Sequence, residues 1–315
     1  MKNAAERSLF MHSFMNRRRF LQSIAALAAA PAYSAEPAWK LNYMLASSMY
    51  GNLKLAEILP EVKKTGATGI ELWPKKHGTQ REELDEMGVE KFAAQLKEHG
   101  LTFGGTTRYD LGPMKLTSEI KVVKQLGGSF IVAGGKGDYK VSPEQLKKNV
   151  QTFVEQMKPH AALAAENGVS IGIENHINNL IDSPDSLRWL ADGIRSMPGI
   201  GIALAPYHLP QESALLADLI RHIDQKMTLF YAWEHGMGCS KPMPKEEELK
   251  QMPGRGPLDW KPLLQALKDT GFKGPTEIFM HPTPRGFPIL PTAAETTAEI
   301  VRGKEHLDAI VAKLG

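Results

Sequence analysis

The sequence predicts a single closed (β/α)8 barrel, and three features point to it. Short apolar or β-branched runs alternate with longer amphipathic ones eight times after residue 40, as expected of repeated β-α units around a parallel sheet. A helix-then-glycine-then-strand punctuation recurs at His99-Gly100, Leu126-Gly127-Gly128, Asn167-Gly168 and Thr270-Gly271, where glycine supplies the left-handed residue that ends a helix. Polar groups gather where the apolar runs end, the face on which such barrels keep their active sites.

The chain opens with Asn16-Arg17-Arg18-Arg19-Phe20-Leu21-Gln22, followed by the Ala-rich run Ser23 to Ala30 and the small residues Ala32-Tyr33-Ser34-Ala35. This order reads as a twin-arginine export signal, too short to span a bilayer, with cleavage near Ser34. Met15 is an alternative start. Residues 1–34 are therefore expected to be a signal and residues 35–315 the catalytic barrel, exported to the periplasm.

The expected strands are Leu41 to Ala46, Thr68 to Trp73, Thr102 to Thr106, Ser129 to Ala133, Ser170 to Glu174, Ile200 to Leu204, Met227 to Trp233 and Pro275 to Met280. The clearest helix runs from Ser142 to Asn167, where Ser142 is an N-cap, Pro143 the first helical residue and Gln145 the capping-box partner. After the seventh strand comes the long connection Gly236 to Leu258. Its length marks it as functional, and its position puts it on the C-terminal face.

With 315 residues, 42% of them hydrophobic and 23% charged, the chain can bury a large core and is not disordered. Removing residues 1–34 takes the net charge from +3 to near −1. The basicity thus belongs to the signal, and neither a nucleic-acid partner nor a membrane surface is implied for the mature chain. The single cysteine, Cys239, excludes an internal disulfide and a cysteine-rich zinc site.

Read to their ends, the strands deliver Glu71, Trp73 and His77, then Arg108, then Lys136, then Glu174 and His176, then His208. The last two add Tyr231, Trp233, Glu234 and His235, and Glu277, His281 and Arg285. Aromatics beside carboxylates and imidazoles suit a sugar, whose apolar ring face stacks on Trp while its hydroxyls need paired donors and acceptors. Glu71, Trp73, Arg108, His176, Tyr231, Trp233, His235 and Arg285 are accordingly candidate substrate contacts. A small carbohydrate is the expected substrate, and no nucleotide cofactor is expected.

Five segments carry a family resemblance: G-I-E-L-W-P at Gly69 to Pro74, I-G-I-E-N-H at Ile171 to His176, A-P-Y-H at Ala205 to His208, P-G-R-G-P-L-D-W at Pro253 to Trp260, and F-K-G-P-T-E-I-F-M-H-P at Phe272 to Pro282. Over residues 40–315 the chain resembles the sugar phosphate isomerase/epimerase family with the xylose isomerase-like TIM barrel. That resemblance implies one divalent cation, held by a Glu after the fifth strand, an Asp beginning D-x-x-H after the sixth, a His or Gln on the seventh and a Glu on the eighth. Glu174 matches the first ligand and His208 the motif's histidine. Ala205, Tyr231 and Phe279 stand where the other three are expected. Two outcomes stay open: a lost cation, or a rebuilt site using Glu174, His208 and His281, an oxygen–nitrogen set suited to Mn, Zn or Co.

The same resemblance implies abstraction of a proton next to a carbonyl through an enediolate, with Glu174, His208 and Glu277 as the catalytic candidates. A lyase or hydratase acting on a 3-keto-glycoside would use the same carbanion. A barrel that binds a carbohydrate without turning it over is the third reading.

Overall fold

The computed structural model describes residues 38–238 and 240–314, so the expected export signal and Cys239 lie outside the described residues. Eight parallel strands close into a barrel in sequence order: β1 (Asn42–Ala46), β2 (Gly69–Leu72), β3 (Thr102–Thr107), β4 (Phe130–Gly134), β5 (Ser170–Glu174), β6 (Ile200–Leu204), β7 (Met227–Ala232) and β8 (Pro275–Ile278). β8 returns to pair with β1, with Met44 beside Glu277. All eight expected strands form, within two residues of the expected ends.

Helices α1 (Leu55–Val62), α2 (Gln80–Met87), α3 (Val89–His99), α4 (Thr117–Gln125), α5 (Pro143–Glu166), α6 (Pro184–Gly193), α7 (Ser213–Ile223), α8 (Lys245–Glu248), α9 (Trp260–Asp269) and α10 (Ala293–Val311) fill the connections. The punctuating glycines behave as expected: Gly100, Gly127, Gly168 and Gly271 have φ of +60, +73, +70 and +66°. At α5 the cap is half of what the sequence predicts. Ser142 accepts from the Gln145 amide at 3.3 Å, but the Gln145 side chain donates to Asn149 at 2.8 Å instead of returning to the cap.

Strands buried on both faces explain the near-continuous apolar runs: every residue of β4 and β6 is buried. Side chains of alternate residues project inward and stack in layers along the barrel axis. Those layers decide which polar groups reach the open end.

Candidate active site

β5 ends at Glu174, which is only 2% exposed. Its Oε2 accepts a 2.9 Å hydrogen bond from the Tyr109 hydroxyl, and its Oε1 lies 3.8 Å from His208 Nε2. Burial, reinforced by the negative charge of nearby Glu71, raises the Glu174 carboxyl to about 8 against the pull of the Tyr109 bond. His208 sits on the single 3-10 turn Pro206–His208 after β6, and burial holds it neutral, down to about 2. Its Nδ1 lies 3.1 Å from Met237 Sδ, while its Nε2 has no hydrogen-bond partner. The two groups thus present one transferable proton and one free acceptor side by side.

Asn175 makes this edge rigid. Its side-chain amide exchanges two 2.9 Å bonds with the backbone of Ala205, one in each direction, tying the ends of β5 and β6 together.

Two tryptophans build aromatic walls that meet at Phe279 and His281. Trp233 stacks on Tyr207 at 4.1 Å and 3°, and Trp73 stacks on Phe279 at 5.3 Å and 29°. His281 lies edge-on to both indoles and 4.4 Å from the His77 ring, while His176 lies 4.0 Å from the His208 ring. Together Trp73, His77, Tyr109, Glu174, His176, Ile177, Asn178, Asn179, Trp233 and His281 line a cavity of about 440 Å³, within the usual range for a small-ligand site.

The long connection after β7 braces these walls. Gln251 accepts from Trp233 Nε1 at 2.9 Å and donates to the His281 carbonyl at 3.0 Å. Glu234 closes the Pro253 to Trp260 motif by accepting from the amides of Gly254 and Leu258 and from Trp260 Nε1. The expected functional loop therefore acts from behind the site.

Several expected contacts lie elsewhere. Glu71 is fully buried, bonded to Thr107 at 2.6 Å and to the Trp73 indole, so it holds a wall and does not line the cavity. Glu277, expected to be catalytic, is equally buried, with burial and the Glu71 charge raising its carboxyl well above the ordinary range. Neither of its oxygens has a well-formed hydrogen bond, although Glu71 is its carboxyl neighbour. Tyr231, beside Glu277 in the sheet, lies against Phe279 at 5.0 Å. Trp73 and Phe279 follow Glu71 and Glu277 by two residues and stack on each other, and the Trp73 indole donates to Glu71.

Arg108 is engaged by Glu119 and Asp110. The His235 imidazole turns back on Gly238, outside the cavity lining. Arg285 donates to the Pro282 carbonyl at 2.6 Å, and burial, with the Arg285 charge adding to it, disfavours protonation of His77, His176, His208 and His281. Of the expected contacts, Trp73, His176 and Trp233 line the cavity. Tyr109 and Gln251 are the residues that the strand-end reading misses. Tyr109 lies two positions beyond β3, and Gln251 lies in a loop with no periodicity to place it.

The family's cation does not fit these residues. Ala205, Tyr231 and Phe279 present a methyl, a buried phenol and a ring where ligands are expected. Among the described residues no three His, Cys, Asp or Glu side chains converge as a metal site. The rebuilt set of Glu174, His208 and His281 is thereby corrected. His208 approaches Glu174, and His281 stands edge-on to Trp233 with the tilted His77 ring 4.4 Å away.

No curated protein matches the chain by sequence. Among solved structures, the zinc-binding IolI protein aligns with TM-score 0.67 and 17% identity over 87% of this chain and 99% of its own. A D-psicose 3-epimerase determined in the presence of D-fructose aligns with TM-score 0.64 and 15% identity over 86% and 99%. A probable 3-DHS dehydratase, AsbF of Bacillus anthracis, aligns with TM-score 0.61 and 16% identity over 82% and 97%. At these identities the likeness concerns the fold. The model of the xylose isomerase-like TIM barrel matches residues 59–302, and with eight strands closed in order around a site at their C-terminal ends, the chain belongs to that family.

Proposed function

We propose that the chain is an exported enzyme that moves a proton next to the carbonyl of a small carbohydrate. The observation that carries this reading is Glu174, a carboxyl raised to about 8 at the wall of an aromatic cavity, 2.9 Å from a phenol and 3.8 Å from a neutral imidazole. A group with a pKa near the working pH is the best compromise between being ionised and driving proton transfer.

In the reaction, the carboxylate form of Glu174 takes the proton from the carbon beside the carbonyl. The C–H pair forms the C=C bond, and the carbonyl π pair moves to oxygen as an enediolate. Tyr109 supplies the donor that holds the developing oxyanion, and the free Nε2 of His208 accepts from a sugar hydroxyl. Returning the proton to the neighbouring carbon while the first carbon's hydroxyl proton passes to the oxyanion gives an isomer, and reprotonating the first carbon on its opposite face, from a group other than Glu174, gives an epimer.

The second reading is elimination from a keto-glycoside through the same carbanion. The His77–His281 pair favours it, because it sets two neutral imidazoles on the cavity lining, where an N–H can hydrogen-bond the departing oxygen while the proton taken by Glu174 passes to it.

Incubating the purified mature chain with keto-sugars in deuterium oxide tests the proposal, and wash-in at the carbon next to the carbonyl is expected. No wash-in into any keto-sugar, with or without added Mn or Zn, leaves a binding protein as the surviving reading. For export, a reporter fused after Ser34 is expected to reach the periplasm only when Arg17, Arg18 and Arg19 are intact.

A further inference from the structure

Among the described residues, two exposed large apolar side chains line the cavity: Tyr109 and Ile177, each 37% exposed. A solvent-facing apolar pair beside a pocket is a candidate contact surface. The Tyr109 ring is also fixed in place. Its hydroxyl is tied to Glu174, and its ring edge occupies the space a side chain at Gly134 would fill, since a Cβ there would lie 2.6 Å from the Tyr109 ring. Gly134 pairs with Glu174 across the β4–β5 ladder, so the ring stands directly beside the reacting carboxyl.

The same rim carries amides. Asn178 and Asn179 line the cavity, Asn178 takes the left-handed conformation at φ +59°, and the buried Asn179 Oδ1 has no hydrogen-bond partner. The Asn179 amide nitrogen and the Tyr109 ring together fill the Gly134 notch. A rigid aromatic and aliphatic platform with adjacent amides is the chemistry that receives a hydroxylated ring, stacked on its apolar face and bonded through its edge.

We propose that this rim is an outer subsite for the second ring of a glycoside, so that the substrate is a two-ring carbohydrate whose keto-bearing ring occupies the inner cavity. The inference rests on the proton-transfer reading for what happens at Glu174, but the subsite itself is a matter of binding.

The test compares a disaccharide oxidised to a ketone on one ring with the methyl glycoside of that same keto-ring. Binding is followed by tryptophan fluorescence and turnover by deuterium wash-in. The disaccharide is expected to bind about tenfold more tightly and to show a similar advantage in kcat/KM, the size of effect a small apolar contact surface delivers. Ile177→Ser, a change at an exposed position, is expected to bring that ratio close to one. Equal binding of the two ligands by the parent protein, or a ratio untouched by Ile177→Ser, overturns the subsite. A retained binding preference without any wash-in leaves the subsite standing and removes the proton-transfer reading.

Discussion

Glu174 and the pair Glu71 and Glu277 are all inward-pointing glutamates of one barrel, all buried, and all with carboxyls raised above the ordinary range. Only Glu174 reaches the cavity. Glu71 and Glu277 are fully buried and outside the cavity lining, with Trp73 and Phe279 two residues further along their strands. A perturbed carboxyl marks a functional site only when something can arrive at it. The proposed function uses the carboxyl that reaches the cavity, and the two buried ones belong to the walls.

The sharpest way to break this comparison is Glu174→Gln. It is expected to lower deuterium wash-in about 10³-fold, the scale of a lost general base. The thermal melt should stay nearly unchanged, because an amide keeps the oxygen that accepts from Tyr109. A large loss of stability instead would move Glu174 into the structural group.

Gln251→Leu probes the bracing of the walls. It leaves the Trp233 indole N–H and the His281 carbonyl without their partner, at a cost of about 2 kcal/mol. We expect a lower melting temperature, an altered tryptophan emission, and a rise in KM that exceeds the fall in kcat. Unchanged emission and KM would show that the walls hold themselves.

A smaller effect concerns pH. The folded chain holds the Glu71 carboxyl at about 7 and Glu174 at about 8, against an ordinary value of 4.5. Between these values the native state keeps protons that the unfolded chain has released, so stability is greatest at the acid end and falls as pH rises from about 5 to 8. Melting temperatures across that range should decline, less steeply in Glu71→Gln. A flat or rising profile contradicts the raised carboxyls.

The fold was legible because its signals are local: apolar runs of strand length, amphipathic spacers, and glycines such as Gly100 and Gly168 that stop helices in a conformation other residues avoid. The ends of β5 and β6 were legible for the same reason, since polar residues interrupt buried runs. Depth was not legible. Period-two alternation says that Glu71, Trp73, Glu277 and Phe279 point inward, but strand tilt and side-chain size decide which of them lines the cavity. Tyr109 was passed over in favour of its charged neighbour Arg108, whose charge is consumed by Glu119 and Asp110.

Glu277→Gln tests the division between the two carboxyl regions most directly, with wash-in into a keto-sugar as the readout. The variant keeps the size and the buried position while removing the carboxyl. Wash-in within about threefold of the parent is the predicted result, since Glu277 touches no substrate. A loss as deep as that of Glu174→Gln would place Glu277 in the chemistry and contradict the account.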